Sequence, residues 1–334
     1  MILKSLLAAV VGSVDAERLF KTLHVPMGLM TEGSAISRAH MAQAMNMALF
    51  NDLISRVPSG RAYVEETIAA GGKVNFDHGA LRTVAWSANG TLPPGRTAIA
   101  RLLEPLGFAQ VDIYPLPRLK MTGYAYRHLD LPEEIAQFFV SELHPEQFSP
   151  AFQTAVTRVV STSVDPLTPD ESTLLARLAK GETLGLDEAV ALVRACVRGF
   201  GRHHAEPSLS DYETLKAESA EMAWISTEGN AFNHATDRVA DVFATAEAQR
   251  LAGRTIKEKV EISASGRVRQ TALIADKVKR GFLDVHGRRT ERVVPGSFYE
   301  FISRDFLPGS GRLDLAFDTG NATGIFNVTA TGEN

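Results

Sequence analysis

The sequence predicts an α+β fold: a half-barrel sheet of βαβββ-type units, with helices before it and a large helical insertion within it. Three observations carry this expectation. Residues 1–72 show helical periodicity with few glycines or prolines. Strand-type sequence then occurs in two stretches, 73–131 and 221–334, each time in the order strand, helix, strand, strand. Between them, residues 132–220 read as helix throughout.

In chain order, the opening MILKSLLAAVVGSVDA places Leu3, Leu6, Leu7, Val10 and Val14 at helical spacing and runs without a break into AERLFKTL. It has about the length of a signal peptide. The amphipathic spacing and Lys4 within the apolar run favour a helix of a cytoplasmic protein, with secretion as the alternative. ISRAHMAQAMNMALFNDLISRV continues the periodicity, Ser59-Gly60 is expected to break it, and a helix over 63–70 should stop at Gly71-Gly72. KVNFDHGALRTVAW reads as a strand, TAIARLLEPLGF as a helix, and VDIYPLP and GYAYRHLDL as two further strands.

EEIAQFFVSELHP, AFQTAVTRVVS, TPDESTLLARLAKG, LDEAVALVRACVRGF and SDYETLKAESAEMAWIS then read as helices. Two of them begin with acids in the first turn, at Asp170-Glu171 and Asp187-Glu188. After this insertion NAFNHATDRV is strand-to-loop and VADVFATAEAQRLAG a helix. VEISASGRVRQTALIADKV forms two strands around Ser265-Gly266, and SFYEFISRDF and a last strand near GIFNVTA complete the second unit.

Composition narrows the function. Hydrophobic residues are 45% and charged residues 22%, enough for a large core and too few charges for disorder. The 35 basic and 39 acidic residues are interspersed, with a formal net charge of -4, so no basic track for nucleic acid is present. No apolar run is long enough to span a membrane. Neither G-x-G-x-x-G nor G-x-x-x-x-G-K-[ST] occurs, which removes the commonest nucleotide sites. Cys196 is the single cysteine. It fits a reducing compartment and a packed helix position in ALVRACV, and it excludes a cysteine-based zinc site.

Any metal must therefore rest on His, Asp or Glu. In Phe76-Asp77-His78-Gly79-Ala80-Leu81-Arg82, His78 and Arg82 are four apart on a strand and share a face, with small Ala80 between them. An imidazole beside a guanidinium suits a metal plus an anionic ligand. The alternative is a satisfied histidine, with Arg82 paired to an acid such as Asp77. His234 follows Asn233 in GNAFNHATDR, where an asparagine could orient it. His24, His40, His128, His144, His203, His204 and His286 compete, and the His203-His204 pair suits an exposed helix end. Glu300, among Phe298, Tyr299 and Phe301, needs a partner if buried: a metal, or Arg304. Two histidines and one carboxylate with open positions is the facial triad of non-haem iron(II) oxygenases.

Taken together and in order, VNFDHGALRTV, AFNHATDRV, RVRQTAL, PGSFYEFISR and GIFNV resemble the 2-oxoadipate dioxygenase/decarboxylase family, a relative of the glyoxalase-like, vicinal-oxygen-chelate proteins. The resemblance covers about 73–128 and 228–328 and is thin elsewhere. It implies a vicinal-oxygen-chelate-like half-barrel, with His78, His234 and Glu300 as ligands of Fe(II), Arg82 as the catalytic arginine that binds substrate, and Gln270 as a polar wall of the pocket. Where bacterial relatives carry a Val-Ser pair, this chain has Gly320-Asn321, so Asn321 becomes the candidate substrate contact and the exact substrate is open.

The implied reaction is 2-oxoadipate plus O2 giving 2-hydroxyglutarate plus CO2, a step of lysine degradation, with no organic cofactor. Two other readings remain at this level: a lyase or isomerase using another divalent metal on the same scaffold, and a binding module without turnover.

Overall fold

The computed structural model describes residues 1–30 and 35–317. Four helices come first: α1 (Ile2–Val11), α2 (Ser13–Thr22), α3 (Arg38–Arg56) and α4 (Pro58–Ala69). Gly12, at φ 89°, divides the opening helix that the sequence suggested was continuous. Leu3, Leu6 and Leu7 are buried as their spacing requires, whereas Val14, beyond the break, is 81% exposed. Gly60 does not break a helix. Pro58 starts α4 at its first position, and Gly60 lies inside it because a Cβ there would come within 3.0 Å of the Tyr299 side chain.

The first strand unit is β1 (Phe76–Val84), α5 (Thr97–Leu103), β2 (Phe108–Leu116), β3 (Met121–His128) and β4 (Gln137–Leu143). β4 corrects the sequence reading: QFFVSEL is a strand, not part of a helix. It pairs parallel to β1 and antiparallel to β3, so it is interior to the sheet, and six of its seven residues are buried. A strand covered on both faces has no polar alternation to distinguish it from buried helix.

The helical stretch follows β4: α6 (Pro150–Val160), α7 (Pro169–Ala179), α8 (Leu186–Gly199), α9 (Leu209–Glu218) and α10 (Ala220–Glu228). A capping box, Thr168 with Glu171, starts α7. Ser219 adopts extended backbone and separates α9 from α10, which the sequence suggested were one helix. Cys196 is buried in α8, where burial pushes its thiol up to about 12.

The second unit is β5 (Phe232–Arg238), α11 (Val242–Leu251), β6 (Glu261–Ile262), β7 (Val268–Ala272) and β10 (Phe298–Arg304). It is interrupted by a hairpin, β8 (Lys277–Leu283) and β9 (Arg289–Pro295), that forms its own two-stranded sheet and was not anticipated. The expected last strand near GIFNVTA lies outside the described residues.

Eight strands form one curled half-barrel sheet in the order β2-β3-β4-β1-β5-β10-β7-β6. The order is two-fold: each half runs from its second strand through its third and last to its first, and the first strands, β1 and β5, pair antiparallel at the centre. One face carries Leu81, Phe138, Val140, Phe232, Ala235, Tyr299 and Phe301 into a core shared with α1–α4 and α8. The other face carries the polar side chains described next. At the Val84 end of β1 a second core joins Val84 and Leu143 to α6, α9 and α10. Among the described residues, no helix is long and apolar enough to cross a membrane.

Candidate metal centre

Strand alternation places His78 (β1), His234 (β5) and Glu300 (β10) on the same face of three adjacent strands. All three are buried, and one ligand atom from each lies within 4.8 Å of the others. The Glu300 Oε2 is 3.4 Å from His78 Nε2 and 3.2 Å from His234 Nε2. Atoms held about 2.1 Å from one ion in cis positions are roughly 3.0 Å apart, so the set is near ligand spacing.

The surroundings fit a cation. Thr236 donates to Glu300 Oε2 at 2.6 Å and lies 3.1 Å from His78 Nε2. Glu300 Oε1 and His234 Nδ1 are buried with no hydrogen-bond partner among the described residues. Burial raises the Glu300 pKa, but His234 and His78 outweigh it and hold the carboxyl far below the usual range. Burial depresses His234, and the charges of His78 and Arg82 add to that. Arg304, the alternative partner for Glu300, is engaged elsewhere. A fully buried carboxylate facing two imidazoles, with one oxygen unpaired, is a donor set that a divalent ion would complete.

Asp77 orients His78. Its Oδ1 lies 2.8 Å from His78 Nδ1, which leaves Nε2 facing Glu300. The β1–β5 register shifts between Phe76 and His78, so Asp77 does not follow simple alternation. Arg304 grips Asp77 through Nε and Nη2 at 2.9 Å each, and its Nη1 donates to the carbonyls of Asp314 and Ala316. Burial raises the Asp77 pKa, but Arg304 and His78 prevail and keep it ionised. His78 is raised overall: burial lowers it, and Asp77 with Glu300 more than offsets that.

The segment after β10 thereby crosses the sheet. Leu315 O accepts from Arg127 and Gln137, and Phe317 N donates to the Tyr114 hydroxyl. The Phe317 ring meets His78 edge-on at 4.8 Å and Phe139 at 4.9 Å. Phe298 packs on His234 at 4.7 Å.

Arg82 is fully buried on the same face of β1 as His78. Its guanidinium carbon lies 4.9 Å from the centre of the Trp224 ring, and Glu221 on the same helix supplies a nearby negative charge. Burial lowers its pKa to about 10, a value that leaves it cationic at neutral pH. Trp224 is itself fixed by donation to Gly296 O. Gln270 is buried on β7, paired with Glu261 on β6 and Ile302 on β10. Asn321 lies outside the described residues. Asn233 does not orient His234, whose Nδ1 has no such contact. His203 and His204 are not an exposed pair: His204 is buried, its ring nitrogens near Ala205 O and Ile225 O.

Sequence reasoning did not single out Thr236, Trp224, Glu221 or Phe317, and the alternative it raised, Arg304 as the partner of Glu300, is not met because Arg304 pairs with Asp77. Residues 41–327 match the 2-oxoadipate dioxygenase/decarboxylase family. The chain belongs to that family, and it is an enzyme of the 2-oxoadipate dioxygenase/decarboxylase type.

Among solved structures, it is 54% identical to a glyoxalase superfamily protein from Ralstonia eutropha JMP134, with a TM-score of 0.91 over 96% of this chain and 99% of that one. Hydroxyglutarate synthase from Oryza sativa, in complex with 2-oxoadipate, shares 19% identity and a TM-score of 0.67 over 90% of this chain and 97% of that one. The Pseudomonas putida hydroxyglutarate synthase, also with 2-oxoadipate, shares 18% identity at a TM-score of 0.58, over 89% of this chain and 74% of that one. The last two likenesses concern the fold. No curated protein matches the sequence.

Proposed function

We propose that this family member converts 2-oxoadipate and O2 into 2-hydroxyglutarate and CO2, using iron(II) held by His78, His234 and Glu300. The observation that carries the reading is the convergence of these three buried side chains, with Glu300 Oε1 left unpaired in the interior. Iron(II), when bound, supplies the O2 chemistry that no side chain here offers, and the 2-oxo acid supplies the electrons.

The chain's own groups do the rest. Asp77 fixes which nitrogen of His78 faces the centre. Thr236 holds the Glu300 carboxylate in place. Arg82, kept charged and laid against Trp224, grips a substrate carboxylate with its planar fork. Gln270, and Asn321 in the segment beyond Phe317, offer polar contacts to the substrate chain. Phe298 and Phe317 keep water from the histidines, and α10 closes the end of the site beyond Arg82.

An oxygen electrode tests the proposal directly. The iron(II)-loaded protein should consume O2 with 2-oxoadipate, release CO2 in equal amount and form 2-hydroxyglutarate. A panel of 2-oxo acids that elicits no oxygen uptake from protein shown to contain iron would overturn it.

A further inference from the structure

The two halves of the sheet are related residue by residue. In the antiparallel β1–β5 pair, Gly79 faces Ala235, and His78 and Ala80 face Thr236 and His234. A two-fold axis through the Gly79–Ala235 pair therefore exchanges His78 with His234 and Ala80 with Thr236. The registers of the next strands extend the relation. His78 pairs with Gln137 and Ala80 with Phe139 on β4, while His234 pairs with Phe298 and Thr236 with Glu300 on β10. Glu300 thus has a counterpart, and it is Phe139. Both histidines obey the two-fold relation and the carboxylate does not.

The first half is adapted to this difference. Phe139 lies over Gly123, where a Cβ would stand 2.3 Å from its ring, and the counterpart of Gly123 in the second half is Gln270. Ala80, in the place of Thr236, has no hydroxyl to hold a carboxylate. Phe139, Tyr114, Ala80 and Ala125 form one apolar cluster with the Phe317 ring packed on it.

We propose that Phe139 is the residue that keeps the centre at three protein ligands. It replaces the fourth donor that two-fold symmetry would supply, so on this wall only the Phe317 ring, carried by the segment after β10 and not by the sheet, stands between the triad and an exogenous chelating ligand. This inference rests on the metal reading of the triad and assigns the open side to a particular wall of the sheet.

The test restores the missing donor. Because the Phe317 ring stands between Phe139 and His78, Phe139→Glu is made together with Phe317→Ala, and Phe139→Leu/Phe317→Ala is the control. Cobalt(II) is the probe, read by chelator competition and by its visible absorption without O2. The expected result is at least a tenfold gain in cobalt affinity for the Glu variant over the Leu control. The cobalt spectrum of the Glu variant should ignore added 2-oxoadipate, whereas those of the wild type and the Leu control should shift.

Equal affinities in two folded variants, or a Glu variant whose spectrum shifts as the wild type does, would overturn the proposal. Phe139→His/Phe317→Ala introduces no buried charge and repeats the test should the carboxylate prevent folding. A wild-type cobalt spectrum that ignores 2-oxoadipate would count against the substrate reading alone, since the affinity comparison still decides the role of Phe139.

Discussion

Arg304→Met separates fold stability from the tuning of the candidate centre. The side chains of Arg304 and Asp77 are 0% and 1% exposed, so the variant leaves a buried carboxylate with only His78 and the more distant Arg238, at 3.9 Å, to offset its charge. Removing one partner of a buried ion pair costs about 3–5 kcal/mol. At about 2.1 cal/mol/K per residue, the unfolding entropy of a 334-residue chain is about 0.7 kcal/mol/K. The melting temperature of the metal-free protein should therefore fall by about 4–7 °C.

A second variant, Arg304→Met/Asp77→Leu, removes that carboxylate and should regain most of that loss. It also takes from His78 the acceptor at Nδ1, so its metal affinity should stay about 10–100-fold below wild type. Calorimetry of the metal-free proteins and chelator competition with iron(II) or cobalt(II) read the two effects. An Arg304→Met variant that melts at the wild-type temperature, or a double variant that binds metal as tightly as wild type, would refute this assignment.

Substitutions at three other positions probe separate parts of the molecule. Arg82→Lys and Arg82→Ala should retain metal and lose most turnover of a dicarboxylic 2-oxo acid; near-normal turnover with a lowered melting temperature would reduce Arg82 to a packing role. Burial raises Asp237 from 3.8 to about 6, with the Asp77 charge adding to the rise, while Tyr63 and the Asn75 amide partly offset it. The folded protein thus keeps a proton that the unfolded chain releases, so this group's stabilising contribution is complete below about pH 4 and is lost as pH rises to about 6. Asp237→Asn should remove that slope, by up to about 3 kcal/mol for two pKa units; parallel melting curves of variant and wild type from pH 4 to 8 would refute it. Gly60→Ala should lower the melting temperature by about 2 °C despite its helix propensity, because the added methyl meets the buried Tyr299; an unchanged or raised value would show that the ring gives way.

Periodicity made most elements readable, and it failed where burial or irregularity erased its signal. β1, β5 and β10 announced themselves by aromatic and β-branched runs, but that His78, His234 and Glu300 share one face depends on strand order, and only the family resemblance brought the three together. QFFVSEL did not announce itself, because β4 lies between β1 and β3 with both faces covered. The β8–β9 hairpin was missed because Arg280 and Arg292 interrupt the apolar face that Val278, Phe282 and Val294 turn toward the second core; Asp284 through Gly287, with Gly287 at φ 72°, was the available turn signal. The Asp77 contact was illegible because alternation assigns it the face opposite His78, and only the register shift brings it round. Arg304 was visible as a cation near Glu300, but which acid it serves depends on strand order, which no local pattern encodes.

The central β1–β5 seam has a consequence for how the site comes into being. Thr236 and His78 are in contact yet 158 residues apart in the chain, and α6–α10 must be synthesised before β5 exists. Until then β1 is an exposed edge, and the first half offers an incoming ion one of the three candidate ligands. Affinity arises only when the seam shuts, the slowest kind of contact to form. An ion bound there would stabilise the closed arrangement over any open one, acting as a latch between the halves. Its removal should then register first as faster amide exchange along β1 and β5, before any loss of helix.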